Sequence, residues 1–125
     1  MNTHQLNMFD LMVQASEIRP IDPYGPVVEG PADHTLRLEH PKMAWDIATI
    51  EIHRCQESRK WMWSTASHTR DGGGGYKVGP KWGKFAPSAS DALHWAKDEL
   101  FKRIGGRASA KEKLEIETWA AQLSV

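Results

Sequence analysis

Trp45-Asp46-Ile47-Ala48-Thr49-Ile50-Glu51-Ile52-His53-Arg54-Cys55-Gln56-Glu57-Ser58-Arg59-Lys60-Trp61-Met62-Trp63-Ser64-Thr65-Ala66-Ser67-His68 is the stretch on which the fold turns. Ile47, Ala48, Thr49, Ile50 and Ile52 are rich in β-branched types, which suit a pleated backbone. The run ends in the polar segment His53 to Ser58. From Trp61 onward, period-two alternation places Trp61, Trp63 and Thr65 on one face. Gln56-Glu57-Ser58-Arg59 between the two runs has the length of a hairpin connection. An antiparallel pair is therefore expected across 45–68. A third strand is expected within Tyr76 to Ala86, interrupted at Gly79-Pro80 because proline cannot donate to a ladder. Asp71-Gly72-Gly73-Gly74-Gly75 between them reads as a flexible tip.

Downstream, the period changes. Leu93, Ala96, Leu100 and Ile104, with Ala92 and Phe101 beside them, make an apolar stripe at helical spacing over 89–104. Ser88 and Asp91 stand at capping-box spacing, and Gly105-Gly106 suggests a left-handed stop. Ser109 with Glu112 forms a second capping box. It opens a helix over 110–123 with Leu114, Ile116, Trp119, Ala120 and Leu123 inward.

Upstream, Leu6, Phe9 and Val13 form a stripe that Met8, Leu11, Met12, Ala15 and Ile18 widen nearly all the way round. A helix over 4–18 is expected, buried or awaiting a partner, and a homodimer could form through it. Pro20, Pro23, Pro26, Pro31 and Pro41 then punctuate residues 19–44, together with Asp22, Glu29, Asp33 and Glu39. This composition favours an extended, polyproline-like acidic strap. The expected architecture is one α+β domain over 1–125. It has an N-terminal helix in 1–18, a strap over 19–44 and a βββαα core over 45–125. A three-stranded antiparallel sheet would carry helices on one face and leave the other open, in two layers.

The chain's 125 residues suffice for one core, and 40% hydrophobic with 26% charged residues is ordinary globular usage. No run approaches the roughly 18–20 consecutive apolar residues of a membrane span. Cys55 is the only cysteine, which excludes an internal disulfide, and Met1-Asn2-Thr3-His4-Gln5 lacks the blocks of a secretory signal. A cytoplasmic setting is expected. The net charge of zero hides an asymmetry. Residues 1–51 carry three basic residues against eight acidic, and residues 52–125 carry thirteen against eight. Such a division points to a polyanionic partner, or to the acidic half folding back over the basic one.

Enzyme signatures are sparse. No Gly-Lys-Ser/Thr follows the four glycines, so they are no phosphate loop. The histidines show no zinc-site spacing. His53, Cys55 and His68 are the residues a small hydrolytic or metal-dependent enzyme would use, with Cys55 as nucleophile beside His53. The stronger constellation is basic and aromatic: Lys60, Trp61, Trp63, Tyr76, Lys77, Lys81, Trp82 and Lys84. Exposed rings with flanking cations can stack bases and neutralise phosphates, or serve as protein hot spots. The structural alternative is that Trp61 and Trp63 pack beneath the 93–104 helix.

Trp61-Met62-Trp63, Gly72 to Gly75, Pro80-Lys81-Trp82-Gly83-Lys84-Phe85-Ala86 and Asp91-Ala92-Leu93 together resemble small modules of phage and plasmid proteins that act around DNA. The order helix, three strands, helix is also similar to a double-stranded-RNA-binding domain. That family opens its last helix with lysines, whereas this chain has Ser90-Asp91-Ala92-Leu93. The resemblance implies a non-enzymatic accessory protein of a mobile element, with no catalytic residue, metal or cofactor. It would occlude a protein that handles nucleic acid, as inhibitors of the anti-CRISPR kind do, or bind nucleic acid through the basic-aromatic sheet face.

Overall fold

The computed structural model describes residues 16–125. In chain order the strands are β1 (Glu17–Ile18), β2 (His34–Glu39), β3 (Asp46–Arg54), β4 (Trp61–Thr69), β5 (Gly72–Gly75) and β6 (Lys84–Phe85). Two helices follow, α1 (Ala89–Ile104) and α2 (Ala110–Ala121). Strands β2-β3-β4-β5 form a four-stranded antiparallel sheet in sequence order, and β1 pairs with β6 in a separate two-stranded sheet. The protein is α+β, but it does not have the single three-stranded sheet expected from sequence.

The core hairpin is β3–β4, with Ile52 opposite Trp63, Ile50 opposite Thr65 and Ala48 opposite Ser67. These residues face α1, whose Ala92, Leu93, Ala96, Leu100 and Ile104 are buried against them. Strand β2 adds Leu36 and Leu38 to the same face, opposite Ile50 and Ala48. Beyond Leu38 the register slips: Ala48 pairs with Leu38 and Asp46 with Glu39, so Ile47 bulges out of the ladder. A bulge breaks strict alternation, which is how Ile47 and Ala48 are both buried. Helix α2 packs on this layer through Ile116 and Trp119, joined by Leu123 just past its end.

Four expectations are corrected. The helix expected over 4–18 lies outside the described residues except at its end, where Glu17–Ile18 is strand. There the backbone is held by Phe85 and Lys84, so tertiary pairing decides its conformation. The strap expected over 19–44 contains a six-residue strand, β2, where alternating Leu36 and Leu38 find the free edge of β3. Segment 76–86 does hold a strand, β6, but it pairs with β1 outside the main sheet, and the strand beside β4 is the glycine run itself. A Cβ at Gly75 would lie 2.3 Å from the Ala66 Cβ, so β5 reaches β4 at a place no side chain could occupy. Finally, Gly105 ends α1 in right-handed geometry, with φ −54°, and Arg107 and Ala108 donate to the Ile104 carbonyl instead.

The second face of the sheet is half covered. Segment 76–83, which includes a 3-10 turn at Pro80–Trp82, crosses it and buries Val78 and Phe85 with Met62 and Cys55. The strap then lies on that segment. The N–H groups of Arg19, Asp22 and Val28 donate to the carbonyls of Gly83, Lys81 and Val78, and Lys81 donates back to Pro26. Gly83 makes the close approach possible: its φ is +71° and a Cβ would meet the Arg19 oxygen at 2.2 Å. Among the described residues, no helix is long and apolar enough to cross a membrane.

Candidate functional site

The residues expected to form a basic-aromatic face are largely engaged with the protein's own carboxylates. Glu99, on α1, receives the Trp63 indole N–H at 3.3 Å, the Thr65 hydroxyl at 2.5 Å, the Tyr76 hydroxyl at 2.6 Å and the Lys84 ammonium. Lys84 also donates to the Tyr76 oxygen at 2.7 Å. Burial pushes the Glu99 carboxyl upward, but the bonds from Lys84, Thr65 and Tyr76 outweigh it and hold it below the usual carboxylate range. Burial and the Glu99 carboxylate push the Tyr76 phenol well above its ordinary value.

Lys77 reaches Glu51 at 2.9 Å, where Ser64 Oγ and the Val78 N–H donate as well. Lys60 pairs with Glu17, whose carboxyl is held at about 2 by hydrogen bonds from Arg19 and Lys60. Trp63 is buried at 4% exposure, the core position that packing beneath the helix requires. Trp61 is half-buried, with its ring 5.9 Å from that of His34. Trp82 lies edge-on to Tyr76 and donates its indole N–H to the Lys77 carbonyl at 2.7 Å. Lys81 rests over the Trp82 ring at 5.1 Å. Of the two readings of the charge asymmetry, the geometry supplies the folding back: Glu17 and Glu51 reach Lys60 and Lys77.

His53, Cys55 and His68 are not brought together. His53 lies opposite Met62, and His68 is six residues further along β4, about 20 Å away at strand rise. His53 Nδ1 accepts the Asp33 N–H at 3.0 Å. Cys55 is buried with Met62, Val78 and Phe85. Burial raises its thiol, yet bonds from the Ser58 hydroxyl and from the Ser58 and Glu57 backbone leave it below the usual value. Among the described residues, no three His, Cys, Asp or Glu side chains gather as a metal site would need.

A different site emerges at the other end of the sheet. Trp45 and His68 stack at 4.4 Å with planes 7° apart, and His40 stands at 63° against Trp45. The His40 Nδ1 accepts the N–H groups of Lys42 and Met43, both at 3.0 Å, which ties the 40–43 turn to the ring. These rings line a cleft of about 510 Å³ whose far wall is Lys111, Glu112 and Glu115 of α2. Lys42 and Arg70 also border it. The two turns at this end are joined. The Thr69 hydroxyl donates to the Arg107 carbonyl at 3.1 Å, and the Arg70 N–H donates to Glu112 at 2.8 Å.

None of the ion pairs among the described residues engages Lys42, Arg70, Arg107 or Lys111. Glu112 is committed to backbone N–H groups, those of Ser109 in the capping box and of Arg70, and they hold its carboxyl below the usual range. Asp71 and Glu115 are the other carboxylates here, both exposed. Sequence reasoning missed this site because its parts come from 40–45, 68–70 and 107–115. The one local signal was Trp45 just ahead of a strand and next to a proline-punctuated segment. Comparison with protein-family models, with curated proteins and with solved structures finds no match to this chain.

Proposed function

We propose that this protein acts by binding, and that its ligand is nucleic acid held at the end of the molecule where the β4–β5 turn meets the α1–α2 turn. One observation carries the reading: cations without a carboxylate within ion-pair distance, Lys42, Arg70 and Lys111, border an exposed aromatic stack there. Lys60, Lys77 and Lys84 are already neutralised by the fold. Open cations release counterions from phosphates, whereas paired ones must first break an internal bond. The test is fluorescence anisotropy with labelled single- and double-stranded DNA and RNA at low and moderate salt. Binding at low salt that weakens as salt rises, and that fails when Arg70 and Lys111 are both changed to glutamate, supports the proposal. No binding to any of the four at low salt refutes it.

A second reading has its own observation. In the strap, the turn Asp22-Pro23-Tyr24-Gly25 closes with the Gly25 N–H on the Asp22 carbonyl. It thrusts Tyr24 outward at 97% exposure, beside Ile21 at 58% and Ile18 at 67%. Exposed aromatic and aliphatic side chains in one short segment suit a protein partner. The accessory role in a mobile element, occluding a nucleic-acid-handling protein in the anti-CRISPR manner, goes with this surface. Recovery of the same protein partner from the native host with and without nuclease, lost on Tyr24→Ala, would favour it over direct nucleic-acid binding.

A further inference from the structure

Resting on the nucleic-acid reading, we infer that the Trp45–His68 cleft is a subsite for one unpaired base of a single-stranded polynucleotide, its flanking phosphates held by Lys42, Arg70 and Lys111. His68 covers one face of the indole in parallel contact, and the His40 ring stands at 63° to it with centroids 6.0 Å apart. Trp45 nevertheless keeps 42% of its surface open. A flat ring backed by a parallel imidazole and still partly exposed offers a stacking platform, and every base has a π-face to set on it.

The platform is set before any ligand arrives. The His40 Nδ1 accepts two backbone N–H groups, so the ring is oriented and the turn bearing Lys42 is fixed to it. Ile47, bulged out of β3, and Thr69 supply the floor. A volume of about 510 Å³ lies within the range of about 300–1,000 Å³ usual for small-ligand sites.

The charges favour a base over a bare anion. Glu112 is occupied by N–H groups, but Glu115 faces the cleft with no such partner among the described residues. An inorganic phosphate seated inside would meet that carboxylate. A neutral base inside, with phosphates at the cationic rim, would not. A base in a duplex is stacked and paired and cannot reach an indole set in a cleft, so single strands should be preferred.

The experiment compares the intact protein with Trp45→Ala, Trp45→Phe and Arg70→Glu/Lys111→Glu, using a labelled oligodeoxynucleotide and its duplex of equal length. Single-strand affinity should exceed duplex affinity. Trp45→Ala should lower single-strand affinity about 5- to 150-fold, the effect of losing a stacked base, and leave the duplex unaffected. Trp45→Phe should retain most of the affinity. Trp45 is exposed, so its melting temperature should hold. If it falls, His68→Ala, at an exposed strand position, should show the same selective loss. Equal affinity of wild type and Trp45→Ala for single strands overturns the base subsite. If the double charge reversal still weakens both forms in that case, the nucleic-acid reading stands without it. Absence of all binding at low salt removes both.

Discussion

Glu99 gathers more of this fold than any residue that the sequence singles out. Its carboxylate holds the indole of β4, the Thr65 hydroxyl, the phenol of the crossing segment and the ammonium of β6. Removing one partner of a buried pair costs roughly 3–5 kcal/mol. Glu99 retains 23% exposure, so Glu99→Gln should cost somewhat less, about 2–4 kcal/mol. Its carboxyl titrates low, so the charge stabilises the fold above the unfolded value near 4.5, and that contribution is lost as pH falls through the folded value. Tyr76 titrates high, so its neutral form stabilises below the unfolded value near 10.0, and this is lost as pH rises further. Melting temperature against pH should therefore drop at both ends. Glu99→Gln should flatten the acid limb without abolishing it, because Glu17 is also held low. An acid limb identical to wild type would remove Glu99 from this role. Nothing local in Asp98-Glu99-Leu100 announces the hub, since its partners come from three separate segments.

At the scale of elements, what was legible depended on whether the stabilising contacts were local. Both helices stand at 89–104 and 110–121 because cap and stripe lie within each segment: Ser88 Oγ accepts the Asp91 N–H, and Ser109 with Glu112 closes a full box. The hairpin of β3 and β4 was legible from alternation. The rest depended on distant backbone. Strand β1 is strand because of β6, β2 because of the edge of β3, and the glycines are strand because only glycine can lie so near Ala66 and Ser67. The same dependence makes the strap separable from the core. A Cβ at Gly83 would strike the Arg19 oxygen, and a non-glycine residue in the left-handed region costs about 1–2 kcal/mol by itself. Gly83→Ala should thus detach the strap. Limited proteolysis should then cut within 19–28, while α1 and the four-stranded sheet keep their amide protection. Uniform loss of protection across the sheet would mean that the strap and the core fold as one unit.

For the whole molecule, a net charge of zero hides cations that pair with the protein's own carboxylates and cations that do not. Lys60 and Lys77 hold Glu17 and Glu51, which draws the acidic N-terminal half onto the basic segment, and Lys84 holds Glu99 of α1. Lys42, Arg70 and Lys111 engage no carboxylate within ion-pair distance among the described residues, and they line one cleft beside the joined turns. The sequence expectation set Lys60, Lys77, Lys81 and Lys84 on one binding face, and density of lysine and tryptophan does not reveal that three of the four have internal carboxylate partners. Charge reversal should separate the two. Lys77→Glu places a like charge beside Glu51 and should lower the melting temperature, with little change in the salt dependence of nucleic-acid binding. Arg70→Glu and Lys111→Glu are surface changes and should stay within about 0.5 kcal/mol of wild-type stability. Each should weaken single-strand binding and reduce the slope of log affinity against log salt by about 0.7, the value for one neutralised phosphate. The measurement is affinity across a salt series beside thermal unfolding of each variant. If Lys77→Glu changes the slope and Arg70→Glu changes only the melting temperature, the roles are exchanged and the binding face belongs to the crossing segment.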